Sequence, residues 1–105
     1  MRHALIGLVL LPQLLAVSTA MGQVAAPDAM PATAARCLSC HGADGRPALA
    51  DVPIIAGQQP LYLTNALKAY RDGGRSFGQA LVMAEMVRGL SDDEIAALAK
   101  WFGDQ

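Results

Sequence analysis

The strongest constraint on this chain is the pentapeptide Cys37-Leu38-Ser39-Cys40-His41. Two thiols at this spacing can each add to one vinyl group of haem b and form thioether bonds, and the adjacent histidine is then placed to ligate the iron. The pattern C-x-x-C-H is therefore typical of c-type haem attachment. At average residue frequencies, a chance match in a chain of this size is rarer than about one in a thousand. We predict one covalently attached haem c, held by Cys37 and Cys40 and ligated by His41.

The residues alone leave three other interpretations of the motif open. A thioredoxin-like C-x-x-C site belongs to a βαβ context, which the hydrophobic pattern does not offer. A structural zinc site needs four ligands, and Cys37, Cys40 and His41 supply three. A plain disulfide between the two cysteines, with an incidental histidine, is the third interpretation.

The expected core is poor in large side chains. After residue 20 the chain contains 17 alanines, and its aromatic residues there are Tyr62, Tyr70, Phe77, Trp101 and Phe102. A domain of this size buries only enough of its own surface on folding to be marginally stable. Small domains commonly depend on a disulfide set, a metal or a cofactor in addition. Composition thus favours a domain whose core is filled by a large apolar group that is not part of the chain. The alternative is a weakly stable helical domain.

The first twenty residues have the pattern of a secretory signal peptide. Arg2 and His3 precede an apolar run over residues 4–17, and small residues follow up to Ala20. The run is shorter than the roughly 20 apolar residues of a membrane span. We expect cleavage after Ala20, export to the periplasm and no stable membrane insertion afterwards. The predicted organisation is a signal peptide over 1–20, a flexible arm over 21–30 and one domain over 31–105.

Charge and histidine content exclude several classes of function. The mature chain would contain seven basic and nine acidic residues, a net charge of −2, with His41 as its single histidine. The absence of a basic cluster argues against nucleic-acid binding. With His41 bound to a cofactor, no histidine remains for a Ser-His-Asp or Cys-His catalytic group. We therefore expect an electron carrier rather than an enzyme.

Hydrophobic periodicity predicts an all-α domain. A short helix begins near Pro31 and runs into the motif. A second helix begins at Pro60, carries apolar residues at helical spacing and ends at Asp72. A short apolar stretch over 80–87 follows, and Ser91 with Glu94 forms a capping box at the start of the last helix. The segments between these elements are predicted loops.

The second axial ligand of the iron is expected to be a methionine. Methionine is a common partner of histidine in electron-transfer cytochromes, and Met83 and Met86 are the only methionines after the motif. Since they are three residues apart on one helical face, periodicity does not choose between them. Either one could also be an ordinary core methionine.

The chain resembles class I cytochromes c, in particular small bacterial periplasmic monohaem cytochromes and the single-haem halves of dihaem cytochromes of the c4 type. The matching segments read CLSCHGADG at 37–45, PIIAGQ at 53–58, YRDG at 70–73 and LSDDEI at 90–95. The resemblance implies a class I cytochrome c fold, with three to five helices wrapped around the haem. It also implies that the Pro53 carbonyl accepts a hydrogen bond from His41, and that the first and last helices cross near Trp101.

The resemblance also selects the methionine ligand and the function. Met83 lies eight residues before Ser91, the position of the ligand methionine in the dihaem relatives, whereas a methionine at the position of Met86 lines the pocket without bonding the iron. The implied function is a monomeric electron shuttle that meets its redox partners in small, transient contacts. The alternatives are the cytochrome subunit of a periplasmic dehydrogenase or sulfur-oxidising complex, and a gas sensor or peroxidase. The last two would need an open sixth position on the iron.

Overall fold

The computed structural model of the protein describes residues 29–105. The predicted signal peptide, its cleavage site and most of the predicted arm lie outside the described residues. Within residues 29–105, the chain forms helices and no strand, as the all-α prediction requires. A 3-10 turn over Ala32–Ala34 is followed by α1 (Ala35–His41), α2 (Pro60–Arg71), α3 (Ala80–Met86) and α4 (Asp92–Gly103). In this part of the chain, no helix is long and apolar enough to cross a membrane.

The predicted helix starts at Pro60 and Ser91 are confirmed. Pro60 occupies the first position of α2, where its missing N–H would have had no intrahelical acceptor. Ser91 caps α4: its hydroxyl accepts a hydrogen bond from the Glu94 amide at 3.1 Å, and the Glu94 carboxylate accepts one from the Ser91 amide at 2.8 Å. The capping box therefore satisfies two backbone donors that α4 cannot satisfy itself.

Replacing Ser91 by alanine should lower the free energy of unfolding by about 1 kcal/mol, because the Glu94 amide loses its acceptor. Urea denaturation of the holoprotein measures this loss. Ser76→Ala, in an exposed loop, is the matched control and should change stability by no more than about 0.5 kcal/mol. Equal losses in the two variants would contradict the capping role.

The apolar stretch over 80–87 proves to be a helix for seven of its residues. None of the residues of α3 is fully buried, and Leu81 and Val82 are more than half exposed. A helix this short is not stable by itself. Its inward side chain, Met83, packs against the core, and α3 lies against α2. Tertiary contact therefore holds α3 in place.

The protein core is small and lies mainly between α2 and α4. Ile95 and Leu98 are the largest fully buried side chains of the described residues. The other buried members of the cluster are Ala34, Leu63, Val87, Leu90, Ala99 and Phe102. Trp101 is partly buried against this cluster, and α4 contacts the 3-10 turn that precedes α1. The contact between the first and last helical segments is thus made through the 3-10 turn.

Polar contacts fix the end of α2 to the start of α4. Arg71 Nη1 donates to the Leu90 carbonyl at 3.0 Å and to Asp92 Oδ1 at 2.7 Å, and Lys68 Nζ pairs with Asp92 Oδ2 at 3.0 Å. Hydrogen bonds from Lys68 and Arg71 hold the pKa of Asp92 below its ordinary value. Because these groups face solvent, each pair adds little to stability, but together they set the register of the two largest helices.

Candidate haem site

A cavity of about 300 Å³ lies between the motif helix and α2, α3 and α4. Its walls are mostly apolar, from side chains such as Leu63, Leu98 and Phe102. Four of the five residues predicted to serve the site line this cavity: Cys37, His41, Pro53 and Met83. Cys40 is exposed and is not part of the lining.

The local backbone explains how His41 comes to lie beside Pro53. Gly42 ends α1 with φ = +81°, and a Cβ atom there would lie 2.6 Å from the Arg46 carbonyl oxygen. Only glycine accommodates both the positive φ and the close approach of this carbonyl oxygen without strain. The chain then turns back, and the Gly45 carbonyl accepts hydrogen bonds from the amides of Ile55 and Ala56 at 3.0 and 3.2 Å. These bonds bring the segment after Pro53 against the motif.

His41 is buried, and its ring is oriented by a single backbone contact. The Nδ1 atom lies 3.0 Å from the Pro53 carbonyl oxygen, the pair of atoms that the family resemblance implies. A carbonyl oxygen only accepts hydrogen bonds, so Nδ1 carries a proton, and in the neutral form of the ring Nε2 is the nitrogen that keeps a lone pair. A backbone carbonyl that accepts a hydrogen bond from the other ring nitrogen is a usual means of holding a metal-binding histidine in one tautomer and orientation.

The two cysteines differ in environment. Cys37 is partly buried and lies four residues before His41, which places both on the face of α1 that borders the cavity. Burial raises the pKa of the Cys37 thiol, against an opposing effect of Arg36. No disulfide joins Cys37 to Cys40. In residues 29–105, no group of three or more His, Cys, Asp and Glu side chains is arranged to hold a metal ion.

The two methionines occupy different places in the fold. Met83 lines the cavity and packs against the core. Met86 is 38% exposed and is absent from the cavity lining, and its carbonyl accepts a hydrogen bond from Arg36 Nη1 at 3.2 Å. Of the two methionines, Met83 is therefore the one that borders the cavity.

Sequence reasoning did not assign three residues that also line the cavity, namely Tyr62, Tyr70 and Arg75. The Arg75 guanidinium lies 5.1 Å from the centre of the Tyr70 ring and 6.0 Å from that of Tyr62. Hydrogen bonding to the Tyr62 and Tyr70 hydroxyls raises the pKa of Arg75 above its ordinary value. The eight-residue spacing of the tyrosines on α2 could have suggested a shared face. No sequence pattern indicated that Arg75, in the following loop, would join them.

The residues of the cavity fit a haem. Haem is a large, flat, mainly apolar molecule with two carboxylate groups. Among the described residues, the cavity lining combines apolar side chains with one arginine, Arg75. His41 from α1 and Met83 from α3 bring a ring nitrogen and a thioether to the cavity lining, and both are ligand types that haem iron accepts. Cys37 also borders the cavity, where a thioether bond can form.

Comparison with known proteins agrees with this assignment. Residues 29–103 match the sequence model of the family described as Cytochrome c. Cytochrome c-554(548) from Halomonas halodenitrificans is 44% identical over 69 residues, which cover 66% of this chain and 83% of that protein. Cytochrome c4 from Pseudomonas aeruginosa is 35% identical over 105 residues, so this chain spans about half of its length. The cytochrome subunit of sulfide dehydrogenase from Chlorobaculum tepidum is 32% identical over 90 residues, 79% of this chain and 78% of that subunit.

These matches confirm the predicted class I cytochrome c fold and the predicted cofactor. The matched region contains the motif, the cavity and all four α-helices. The chain belongs to the cytochrome c family: it carries one covalently bound c-type haem and transfers electrons.

Proposed function

We propose that the protein is a periplasmic electron carrier whose haem is attached to Cys37 and Cys40 and ligated by His41 and Met83. The observation that best supports this proposal is that His41 and Met83, on separate helices, line one cavity together with Cys37. When bound, the haem supplies one-electron chemistry between Fe(II) and Fe(III).

The protein's own residues prepare the site for electron transfer with little rearrangement. The Pro53 carbonyl fixes the His41 ring through Nδ1, which leaves Nε2 as the ligand atom. The neutral thioether of Met83 and the apolar walls favour the lower charge of the reduced state. Two protein ligands leave no open position for a small substrate, so this ligand set favours electron transfer over gas sensing or peroxidase activity.

The protein exchanges electrons with redox partners, and we propose that these encounters are brief and that the protein acts as a monomer. Electron-transfer complexes bury little surface. A mature net charge of −2 gives weak electrostatic steering. We therefore expect association rates that change little with ionic strength, in contrast to those of strongly charged carriers.

A second candidate function is that of a cytochrome subunit in a periplasmic dehydrogenase or sulfur-oxidising complex. It is favoured by the similarity to the cytochrome subunit of sulfide dehydrogenase, of which this chain covers 78%. Affinity purification of the tagged holoprotein at low ionic strength separates the two functions. A stoichiometric dehydrogenase partner would support the subunit function, whereas a single holoprotein band supports the free carrier.

Spectroscopy of the exported protein tests the proposed haem attachment. The alkaline pyridine assay should show one haem c per chain, which stays with the protein after acidic organic extraction because thioether bonds do not hydrolyse there. The single variants Cys37→Ser and Cys40→Ser should each yield a one-thioether product with a shifted pyridine spectrum, or no holoprotein. Haem that is extracted intact from the unmodified protein would contradict the proposal.

We also predict cleavage after Ala20 and release of a soluble product into the periplasm. Mass spectrometry should find Met21 at the mature N-terminus, with the added mass of one haem. Leu8→Arg interrupts the apolar run over 4–17 and should leave the chain uncleaved and without haem. An intact Met1 on holoprotein in the membrane fraction would show that the segment is an anchor instead.

A further inference from the structure

The helix that carries Met83 is held in place by few contacts. In α3 no residue is fully buried, and no side chain caps its first turn. Leu81 and Val82 are more than half exposed. The packing of α3 therefore depends mainly on Met83, on the buried Val87 that follows the helix and on contact with α2. Because a helix of seven residues needs tertiary contacts to persist, any further bond to α3 affects how firmly Met83 is held.

Arg36 makes such a bond from the motif helix. Its Nη1 atom donates to the Met86 carbonyl at 3.2 Å, and the two residues are 50 positions apart in the sequence. Among residues 29–105, this is the one hydrogen bond that joins α1 to α3. Met86 is the last residue of α3, and the last carbonyls of a helix have no donor within the helix itself. Arg36 therefore satisfies an acceptor that α3 cannot satisfy alone.

No carboxylate competes for the Arg36 guanidinium in the part of the chain that the structure describes. There, Lys68, Arg71 and Arg88 each pair with a carboxylate, whereas Arg36 forms no ion pair. A hydrogen bond donated by an ionised group is stronger than one between neutral groups. Since the contact is exposed, its net contribution is still modest. We therefore expect a local effect on α3 rather than a large effect on global unfolding.

Arg36 also connects the two helices that bring ligating groups to the cavity. It directly precedes Cys37, which borders the cavity from α1, and Met83 borders the cavity from α3. Met83 lies within one helical turn of Met86, and its carbonyl accepts a hydrogen bond from the Val87 amide at 3.0 Å. The backbone from Met83 to the carbonyl that Arg36 binds is thus a single closed turn. Movement of the end of α3 away from α1 would carry Met83 with it.

We propose that Arg36 holds α3 against α1 and thereby keeps the Met83 sulfur on the iron, which limits replacement of the methionine by external ligands. The proposal rests on the His41–Met83 ligation proposed above. Arg36 is accordingly a positioning residue, since it acts on the iron only through the backbone of α3. Retention of both protein ligands keeps the rearrangement between Fe(II) and Fe(III) small, which suits electron transfer.

The binding of imidazole to the oxidised holoprotein tests this role. At saturating imidazole, the rate at which the far-red band disappears becomes equal to the rate at which the methionine leaves the iron. Arg36→Gln should raise this limiting rate roughly two- to tenfold, the factor that corresponds to the loss of one net hydrogen bond. Arg36→Lys keeps the charge and a donor but loses the rigid fork of the guanidinium, so its rate should lie between those of Arg36→Gln and the unmodified protein.

Arg46→Gln is the matched control. It removes the same charge from an exposed residue in the loop after α1, and the Arg46 side chain makes no hydrogen bond to α3. The limiting rate of this variant should stay within about twofold of that of the unmodified protein, as is usual for surface substitutions.

Hydrogen exchange of the holoprotein, followed by mass spectrometry, gives a second readout that does not involve the iron. Arg36→Gln should speed the exchange of the α3 amides and leave that of the α2 and α4 amides unchanged, because the opening is local. An equal increase in α2 and α4 would show a general loss of stability and overturn the proposal.

The proposal is also overturned if Arg36→Gln leaves the limiting rate unchanged, or if Arg46→Gln raises it as much. If Arg36→Gln yields no holoprotein, Arg36→Lys is compared with Arg46→Lys, and equal limiting rates in these two variants count against the role of Arg36. Failure of the underlying ligation is recognised separately, because the unmodified protein would then lack the far-red band or Met83→Ala would retain it.

Discussion

Replacement of His41 by alanine should abolish formation of the holoprotein and leave a largely unfolded apoprotein. The variant lacks the nitrogen that orients the haem in the cavity. It also leaves the Pro53 carbonyl without the hydrogen bond that it accepts from His41 Nδ1 in the unmodified protein. Absorbance at the haem band of the exported fraction measures holoprotein formation, and far-ultraviolet circular dichroism measures the helix content of the apoprotein.

The size of the cavity explains why the apoprotein should unfold. At about 24 cal/mol per Å³ of unfilled volume, a cavity of about 300 Å³ corresponds to about 7 kcal/mol. This is an upper limit, because the cavity is open to solvent. It is nevertheless comparable to the roughly 5–15 kcal/mol by which whole domains are stable. The largest fully buried side chains of the described residues are only Ile95 and Leu98, so the protein has little else to offset the loss.

Ser39→Ala is the control for this prediction. Ser39 lies inside the motif, is exposed, and its hydroxyl makes only a long contact of 3.9 Å to Cys40 Sγ. The variant should mature and absorb like the unmodified protein. A cooperative, helical apoprotein of His41→Ala at neutral pH would contradict the view that the haem completes the core.

Met83→Ala should remove the far-red absorption band of the Fe(III)–methionine bond, lower the midpoint potential substantially and allow carbon monoxide to bind the reduced protein. The physical reason is that Met83 is the methionine whose side chain borders the cavity. Loss of a neutral thioether ligand reduces the preference for Fe(II). Optical spectra of the oxidised protein and carbon monoxide titration of the reduced protein measure these effects.

Met86→Ala is the matched control, since the same atoms are removed from a methionine that is 38% exposed and outside the cavity lining. It should retain the far-red band and exclude carbon monoxide. Its cost in stability should fall below the 2–5 kcal/mol typical of a buried methionine. If the two variants behave in the opposite way, Met86 is the ligand, although the haem attachment itself would stand.

The features that the sequence by itself determined are mostly those formed by residues close together in the chain. The spacing of Cys37, Cys40 and His41 predicts haem attachment because all three groups lie within about one helical turn, so the chemistry does not depend on the rest of the fold. The capping box of Ser91 and Glu94 and the start of α2 at Pro60 were predicted for the same reason. Each involves residues at most three positions apart, and the structure contains both.

The tertiary structure decided which distant side chains share the cavity. Periodicity could not separate Met83 from Met86, because the choice depends on how α3 sits against α2 and the core. The pairing of Pro53 with His41 came only from family resemblance, since it depends on the turn at Gly42 and on the bonds accepted by Gly45. Arg75 could not be placed at all from its neighbours in sequence. Its position is set by contacts with the rings of Tyr62 and Tyr70 and by the path of the loop after α2. Packing of this kind produces no periodic pattern in the sequence from which it could be predicted.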